Sequence, residues 1–392
     1  MADTTLTEHS GGFLVADAVP LATPPQGHVE AVAAREDRYA IDVVTSVDEL
    51  VARLSPALGE DRVGIVTDET VAALYATRLV GRLRRGGRDV LMYTLPAGER
   101  TKDRASADAL WDWLARVDFG RRDVLVAFGG GVICDLTGWV ASAYMRGLPY
   151  VNLPTTLLGM VDGALGGKVA VNHATAKNLL GAFHQPRAVV SDVSVLRSLE
   201  RRHLSAGLAE AIKKAMIASP DYFTLIEQDV DSILERDQAA LFRLVAHASV
   251  IKTVLVGRDP YEHDLRRPLN FGHTIGHPLE TVTGYGPLLH GEAVAVGMVV
   301  ACELAVRRGL LDRALLERLV ALLRRAQLPT TLAELRAPVE PGAVLAAMGK
   351  VRQIRAGSLR WVLPTEVGAT LIVDDVEDRE VRDALRARHS AS

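Results

Sequence analysis

The chain has very little cysteine and almost no net charge, and each of these features excludes certain classes of protein. Only two of its 392 residues are cysteines, Cys134 and Cys302, too few for a disulfide framework and typical of a reducing cytoplasm. The formal net charge of -3 gives no electrostatic case for binding nucleic acid or an anionic membrane surface. An anionic substrate must therefore be met by local groups.

The sequence also shows no apolar run that we judge long enough to span a bilayer. Its N-terminus does not have the basic-then-apolar pattern of a signal peptide. We therefore predict a cytoplasmic protein without a membrane or nucleic-acid partner. Residues 1–38 are rich in Ala, Thr, Pro and Gly without a clear period, which predicts a disordered or extended N-terminal segment.

Beyond this segment the hydrophobic pattern divides the chain into two parts. Short apolar, β-branched runs from 40–44 to 124–128 alternate with amphipathic stretches, the βαβ pattern of a parallel sheet covered by helices. Residues 39–195 are therefore predicted to form an α/β, Rossmann-like nucleotide-binding domain. Long helical patterns then predict a mainly α-helical domain over residues 196–392, with a short strand pair near its end.

Three imidazoles and a carboxylate occur in segments that suit a small metal site. The segments LNFGHTIGH at 269–277 and LHGE at 289–292 supply the histidines, and GLAEAIK at 207–213 supplies a glutamate. Two histidines and one glutamate with an open position form a known catalytic zinc arrangement. Histidines at helical spacing are as often core or surface residues, so spacing alone leaves both interpretations open.

Two glycine-rich segments are candidates for phosphate binding. The apolar run at 124–128 leads into GGGVICD at 129–135, where glycine would let the backbone approach a pyrophosphate above a helix N-terminus. Three glycines in a row are not the GxGxxG fingerprint, and a tight strand-to-helix turn is the alternative. The segments 161–173 and 176–183 add two lysines and several amides, which suit a phosphate, with a solvated basic loop as the alternative.

From about Tyr39 to the C-terminus, the chain resembles 3-dehydroquinate synthase and the wider sugar phosphate cyclase family. The motifs that carry this resemblance, taken in this order, are PxGExxK at 96–102, GGGVxxDxxG at 129–138, YxRG at 144–147, PTTLL at 154–158, GGKxAVN at 166–172, KNLxGAFxQP at 177–186, GLAExIK at 207–213 and LNxGHTxGHxxE at 269–280.

The resemblance implies two cofactors and a set of site residues. The metal, zinc or cobalt, would be held by Glu210, His273 and His290. The residues implied for NAD are Asp68, Glu99, Lys102, Gly130, Gly131, Asp135, Thr155, Thr156 and Lys177. Those implied for the substrate phosphate are Lys168, Asn178, Asn270 and His277, with Arg146 reaching in from the partner subunit of a homodimer. Asp162, Lys213 and Glu262 would contact the substrate hydroxyls, and Lys252 and Arg266 its carboxylate. Of these, Asp162, Lys213, Glu262 and His277 are the implied catalytic residues.

The implied activity is that of a carbon-oxygen lyase acting on a small sugar phosphate. The family reaction converts 3-deoxy-D-arabino-heptulosonate 7-phosphate to 3-dehydroquinate and phosphate. It proceeds by transient oxidation with NAD, phosphate elimination, reduction and intramolecular aldol closure, with the metal acting as a Lewis acid. This is the interpretation that the motifs favour, because Asn270 and His277 follow the 3-dehydroquinate synthase pattern and Lys252 with Arg266 could clamp a carboxylate.

Several departures keep other activities open. Val351-Arg352-Gln353 stands where the family usually has Asp-Lys-Lys, so Arg352 is our candidate to replace a phosphate-binding lysine. Pro278 predicts that His277 lies near a helix start, where proline is tolerated. The alternatives are a sedoheptulose 7-phosphate cyclase of the 2-epi-valiolone or 2-epi-5-epi-valiolone type, an aminodehydroquinate synthase, a polyol dehydrogenase, and a degenerate paralogue that only binds.

Overall fold

The computed structural model describes residues 8–9, 12–16, 28–33, 37–59, 61–174, 176–259, 261, 267–337, 339–354 and 359–387. Its strands are β1 Glu8–His9, β2 Gly12–Ala16, β3 His28–Ala33, β4 Asp37–Val44, β5 Val63–Asp68, β6 Val90–Leu95, β7 Val124–Gly129, β8 Tyr150–Pro154, β9 Lys168–His173, β10 Ala176–Phe183, β11 Ala188–Asp192, β12 Trp361–Glu366 and β13 Ala369–Val373. Its helices are α1 Val47–Leu58, α2 Glu69–Val71, α3 Thr77–Arg85, α4 Arg104–Arg116, α5 Gly131–Ala143, α6 Arg201–Ala218, α7 Pro220–Leu234, α8 Gln238–Arg258, α9 His273–Val282, α10 His290–Arg307, α11 Arg313–Arg325, α12 Pro341–Ile354 and α13 Asp378–Ala387.

The chain forms two compact units, and the first to be described contains a large parallel sheet. This sheet unit consists of Thr23–Leu199 and Arg236–Tyr261. Seven strands lie in the order β3-β4-β11-β8-β7-β5-β6, and every neighbouring pair is parallel except β3 with β4. β9 and β10 form a separate antiparallel hairpin. The predicted Rossmann-like α/β domain is thus confirmed.

Alternating side chains of β7 explain why helices cover both faces of this sheet. Leu125 and Ala127 belong to one buried cluster, together with apolar residues of α4 and α5. Val124 and Val126 belong to another, together with apolar residues of α1 and α3. Since successive side chains of a strand point to opposite faces, an uninterrupted apolar run such as this one requires a helix layer on each side.

Helix α8 belongs to the sheet unit, which differs from the predicted boundary that assigned residues 196–392 to one helical domain. By length and composition, with a mean hydropathy of 1.6, α8 is also apolar enough to cross a membrane. The expectation that no segment reaches that length is therefore wrong. Of the most apolar 18-residue stretch of α8, 67% is buried inside the fold. A buried core helix is apolar, as a membrane helix is, because its side chains face no water.

The helical unit contains the remaining helices of the C-terminal half. It consists of Met1–Ala22, Glu200–Glu235 and Glu262–Ser392, and includes α6, α7 and α9 to α13. Helices α6 and α10 are buried on nearly all sides, from Leu204 to Ala218 and from Gly291 to Ala305. The antiparallel pair of β12 and β13 confirms the predicted strand pair. The mainly helical character of this part is also confirmed.

The prediction of a disordered or extended N-terminal segment did not specify strands, but the described residues there form β1, β2 and β3. β1 and β2 extend the C-terminal pair to a sheet of order β1-β2-β13-β12, while β3 pairs with β4. β2 runs antiparallel to β13, from Ala16 opposite Ala369 to Gly12 opposite Val373. A partner more than 350 residues away leaves no trace in a local hydrophobic pattern. The rest of residues 1–36 lies outside the described residues.

Candidate metal and nucleotide sites

Three helices of the helical unit bring the predicted metal ligands together. Glu210 lies in the middle of α6, while His273 and His290 are the first residues of α9 and α10. Ligand atoms of these three side chains all lie within 4.8 Å of one another. Glu210 Oε1 is 3.7 Å from His273 Nε2 and 3.6 Å from His290 Nε2. One carboxylate and two imidazoles at this spacing form a donor set that suits zinc or cobalt.

Glycines allow the three helices to approach closely enough for this convergence. A Cβ at Gly291 would lie 1.9 Å from the carbonyl oxygen of Ala206 on α6. A Cβ at Gly297 would lie 1.9 Å from the carbonyl oxygen of Gly272. Gly272 caps α9 with φ of +80°, in the left-handed region that glycine adopts without strain. Each helix that carries a ligand is therefore packed backbone to backbone against a neighbour.

The outer ring nitrogens of both histidines have hydrogen-bond partners. His273 Nδ1 is 3.1 Å from the carbonyl oxygen of Phe271, and His290 Nδ1 is 3.0 Å from Glu280 Oε2. When Nδ1 donates its proton to such an acceptor, the lone pair of Nε2 is left for a metal. Glu280 was not among the predicted site residues, although the motif LNxGHTxGHxxE ends on it.

Glu210 is fully buried beside two ammonium groups. Lys213 Nζ lies 2.5 Å and Lys214 Nζ 3.7 Å from Glu210 Oε2. Lys213 was predicted as a site residue and Lys214 was not. Lys214 is one of two adjacent lysines, and nothing in the sequence shows that it is buried and not solvent-exposed. It is buried because α6 is covered on almost every side.

The two imidazoles have different electrostatic environments. Burial, reinforced by the charge of Lys213, lowers the pKa of His273 well below its usual value. Burial also acts to lower the pKa of His290, but hydrogen bonds and charge from Glu210 and Glu280 outweigh it and raise that pKa to about 9. His273 is therefore neutral at pH 7, as a ligand must be, whereas His290 would have to release a proton when a metal binds.

For the other predicted residues of the helical unit, the structure gives a position in the fold and few contacts. His277 is exposed, and its ring centroid lies 5.0 Å from that of His273. Pro278 lies in the second turn of α9, not at its start, so the prediction from proline is wrong; a buried helix held by its neighbours tolerates the lost hydrogen bond. Asn270 ends a 3-10 turn at Arg267–Asn270, and Arg352 belongs to α12. Glu262 and Arg266 lie outside the described residues.

In the sheet unit, the predicted cofactor residues follow neighbouring strands at the edge where those strands end. Asp68 ends β5, the turn with Glu99 and Lys102 follows β6, Gly130 follows β7, and Thr155 with Thr156 follows β8. These strands are adjacent in the order β8-β7-β5-β6. Nucleotides bind at the carboxyl ends of strands in open α/β sheets, so this edge suits a dinucleotide.

The first turn of α5 leaves the space beside its backbone open at Gly131. A Cβ at Gly131 would meet no atom within 4 Å, so the space above this backbone is open. Gly130 is the N-cap, and a Cβ there would lie 3.0 Å from Thr156 Cγ2. Backbone N–H groups at a helix N-terminus point toward an anion, which fits the predicted role of Gly130 and Gly131.

A polar network joins the turn after β6 to α5 and the hairpin of β9 and β10. Lys102 Nζ donates to Asp135 and, at 2.5 Å, to Asn178 Oδ1. Asn172 Nδ2 donates to Glu99 Oε1 at 2.8 Å, and Asn172 Oδ1 accepts from the N–H of Asn178 at 3.0 Å. Burial raises the pKa of Asp135, with Lys102 opposing the shift. Asn172 was missed as a site residue, although GGKxAVN ends on it.

Near Glu99, the Lys177 ammonium lies 3.5 Å from the carboxylate, as expected for two neighbouring cofactor residues. The ammonium of Lys252, predicted for the substrate carboxylate, is already occupied. It lies 2.9 Å from Asp162 Oδ1 and donates to the Asp162 carbonyl oxygen at 2.6 Å. Lys168 is exposed at the start of β9.

Arg146 is exposed within a stretch of left-handed backbone. Met145, Arg146 and Gly147 have φ values of 50°, 69° and 119°. Such a conformation is costly for residues with a Cβ, and it is typical of functional segments that the surrounding fold holds in place.

Models of a known protein family match most of the chain. Residues 92–206 match the model described as 3-dehydroquinate synthase N-terminal, and residues 207–352 match 3-dehydroquinate synthase C-terminal.

Similar proteins carry two kinds of name. The chain is 52% identical over 377 residues to a 2-epi-valiolone synthase from Actinosynnema mirum, covering 95% of this chain and 98% of that protein. It is 42% identical over 357 residues to a 3-dehydroquinate synthase from Symbiobacterium thermophilum, covering 90% and 98%. Among solved structures, a 2-epi-5-epi-valiolone synthase from Streptomyces hygroscopicus subsp. jinggangensis, with NAD+ and Zn2+ bound, superposes with a TM-score of 0.84 at 33% identity, covering 92% and 99%.

Proposed function

Since the chain belongs to the 3-dehydroquinate synthase family of sugar phosphate cyclases, we propose that it is an NAD- and metal-dependent lyase that closes a seven-carbon sugar phosphate into a ring. We propose sedoheptulose 7-phosphate as the substrate and a cyclitol of the 2-epi-valiolone type as the product. The observation that carries this choice is the 52% identity to a 2-epi-valiolone synthase along 95% of the chain, against 42% for the 3-dehydroquinate synthase.

The charge balance around Lys252 supports a neutral substrate. Its ammonium lies against both the carboxylate and the backbone carbonyl of Asp162. A substrate carboxylate would have to share a cation whose charge is already compensated, whereas a hydroxyl could bond to either group without replacing the ion pair. Val351-Arg352-Gln353, in place of the family's Asp-Lys-Lys, is a further departure from the 3-dehydroquinate synthase pattern.

Each cofactor has residues that fit it. When bound, NAD would accept and return a hydride, and the metal would supply a Lewis acid. Glu210, His273 and His290 would hold the metal, and Lys213 would keep positive charge beside Glu210. The NAD would lie at the edge of the sheet, with its pyrophosphate above the first turn of α5.

The remaining predicted roles are also part of this proposal. Lys168, Asn178, Asn270 and His277 are each proposed as phosphate-binding residues. We propose a homodimer in which Arg146 serves the partner's site, in a cytoplasmic enzyme. Light scattering should then give twice the 42.2 kDa mass of the chain.

A second candidate is 3-dehydroquinate synthase itself, acting on 3-deoxy-D-arabino-heptulosonate 7-phosphate. Asn270 and His277 follow the pattern of that enzyme, which favours this candidate. The two substrates differ at two carbons: the heptulosonate has a carboxylate at C1 and no hydroxyl at C3, whereas sedoheptulose 7-phosphate has a neutral hydroxymethyl group at C1 and a hydroxyl at C3. A direct comparison of the two substrates therefore separates the two candidates.

The experiment is to measure phosphate release by the purified protein with NAD and zinc or cobalt, offering each substrate separately. Release from sedoheptulose 7-phosphate alone, with the cyclitol identified by NMR, is the expected result. Release from the heptulosonate alone would overturn the choice of substrate in favour of 3-dehydroquinate synthase. Accumulation of NADH without phosphate release would overturn the cyclase proposal, because a cyclase returns the hydride. His273→Ala serves as the control without a complete metal site.

A further inference from the structure

Glu280 lies against the ring nitrogen of His290 that faces away from Glu210. We propose that Glu280 is a positioning residue for metal binding: it fixes the tautomer and the orientation of the His290 ring. This inference rests on the metal site of the proposed function. The family resemblance assigned no role to Glu280.

The two nitrogens of His290 have separate partners. Nδ1 is 3.0 Å from Glu280 Oε2, and Nε2 is 3.6 Å from Glu210 Oε1. A neutral imidazole carries one proton, and the carboxylate of Glu280 can only accept it on the Nδ1 side. The lone pair of Nε2 is then directed at Glu210, where the ligand atoms converge.

The location of Glu280 on α9 gives it a second effect. His273, another proposed ligand, begins the same helix, and Glu280 follows two turns later. The Glu280 side chain therefore connects α9, the helix that begins with His273, to the ring of His290. Glu280 is buried, at 4% exposure, so water does not compete well for this hydrogen bond.

His273 offers an internal comparison. Its Nδ1 lies 3.1 Å from the carbonyl oxygen of Phe271, a backbone group that substitution does not remove. Of the two proposed histidine ligands, His290 is thus the one whose Nδ1 has a side-chain partner. Changes at Glu280 should affect metal binding while the backbone around His273 stays intact.

Two variants separate the charge of Glu280 from its role as an acceptor. Glu280→Gln keeps an oxygen that can accept from Nδ1 but removes the charge, so we expect zinc affinity to fall by about 3- to 10-fold. Glu280→Met removes the acceptor and leaves the ring free to turn, so we expect a loss of about 10- to 100-fold.

The matched control is Glu303→Gln. Glu303 is another buried carboxylate of the same unit, on α10, where it accepts from Arg307 and Arg313 at 2.9 and 2.5 Å. Its substitution removes a buried charge and weakens the hydrogen bonds from Arg307 and Arg313, while Glu210, His273 and His290 are left unchanged. Destabilisation alone would therefore affect Glu303→Gln as well.

The experiment uses the full chain freed of metal with a chelator. Zinc affinity is measured by competition with a chromophoric chelator, and the visible spectrum of the cobalt-loaded protein reports the ligand geometry. Graded losses at Glu280, with a changed cobalt spectrum in Glu280→Met and an unchanged one in Glu303→Gln, are expected. If Glu280→Met does not fold, the affinity and spectrum of Glu280→Gln decide.

Zinc affinities of the Glu280 variants within about twofold of the parent chain, or an equal loss in Glu303→Gln, would overturn the positioning role. Failure of the unaltered chain to bind zinc would instead overturn the metal site of the proposed function. Because no substrate is present, neither result depends on which sugar phosphate the enzyme uses.

Discussion

Gly291 lies so close to Ala206 that a Cβ on the glycine would be 1.9 Å from the alanine's carbonyl oxygen. Ala206 lies one turn before Glu210 on α6, and Gly291 follows His290 on α10. The contact therefore sets the separation between two of the proposed metal ligands. Both partners are backbone, so the protein cannot relieve a clash by rotating a side chain.

Gly291→Ala should accordingly destabilise the protein and weaken its metal site together. Overpacking typically costs about 1–3 kcal/mol, and we expect the upper part of that range in urea unfolding, with a large loss of zinc affinity. The control is Gly349→Ala on α12, where a Cβ would meet nothing within 4 Å. That variant should be neutral or up to about 1 kcal/mol more stable, because alanine favours helix. Equal stability of Gly291→Ala and the parent would contradict the close contact.

The ion pair of Glu210 and Lys213 should show strong coupling in the metal-free protein. Glu210→Leu leaves the Lys213 ammonium buried without its nearest carboxylate, which typically costs about 3–5 kcal/mol. The double variant with Lys213→Met should recover at least about 1 kcal/mol of that loss. The free energies of unfolding of all four proteins, measured in urea with a chelator present, give the coupling.

The exposed pair of Asp231 and Arg325 provides the comparison for this cycle. Their side chains are 2.8 Å apart, but both are largely solvated. We expect their coupling to stay below about 1 kcal/mol, because water screens exposed pairs. Equal coupling in the two cycles would show that Glu210 and Lys213 are not isolated from water as the structure indicates.

The sequence predicted the parts of the fold and site that depend on local patterns. The apolar run at 124–128 predicted the buried strand β7, and the motifs around Glu210, His273 and His290 predicted residues that the structure brings together. β2 was not predicted, because its partner β13 is distant in the chain. The partners of Glu280 and Asn172 were also missed, since a motif letter does not show which neighbour a side chain contacts.

Asn172→Ala should weaken NAD binding without preventing folding. The Asn172 amide donates to Glu99 and accepts from the N–H of Asn178, so its loss leaves a proposed NAD-binding carboxylate less fixed. Because the free protein loses the same two hydrogen bonds, only part of their roughly 2 kcal/mol weakens binding, and we expect the NAD dissociation constant to rise by about 3- to 10-fold. Titration of nucleotide fluorescence measures this constant. Gln238→Ala, which loses a hydrogen bond to the Thr45 carbonyl elsewhere in the unit, should leave it unchanged; an equal effect in both variants would refute the role of Asn172.

His247 should make the protein less stable as the pH falls. Burial on α8, together with the charge of Arg243, lowers the pKa of His247, while the hydrogen bond to the Arg243 carbonyl partly opposes this shift. Between that lowered value and the unfolded value of about 6.5, the unfolded chain binds more protons than the folded chain. The free energy of unfolding must then fall as the pH decreases through this window. The stability that depends on a neutral His247 is fully present only above the window.

The measurement for His247 is urea unfolding of the metal-free protein from about pH 8 to about pH 5. His247→Gln loses packing at every pH but has no imidazole to protonate, so its stability deficit should shrink as the pH falls. The exposed His203 provides the control, and His203→Gln should follow the parent curve throughout. A deficit of His247→Gln that stays constant or grows toward low pH would mean that burial does not keep this imidazole neutral in the folded chain.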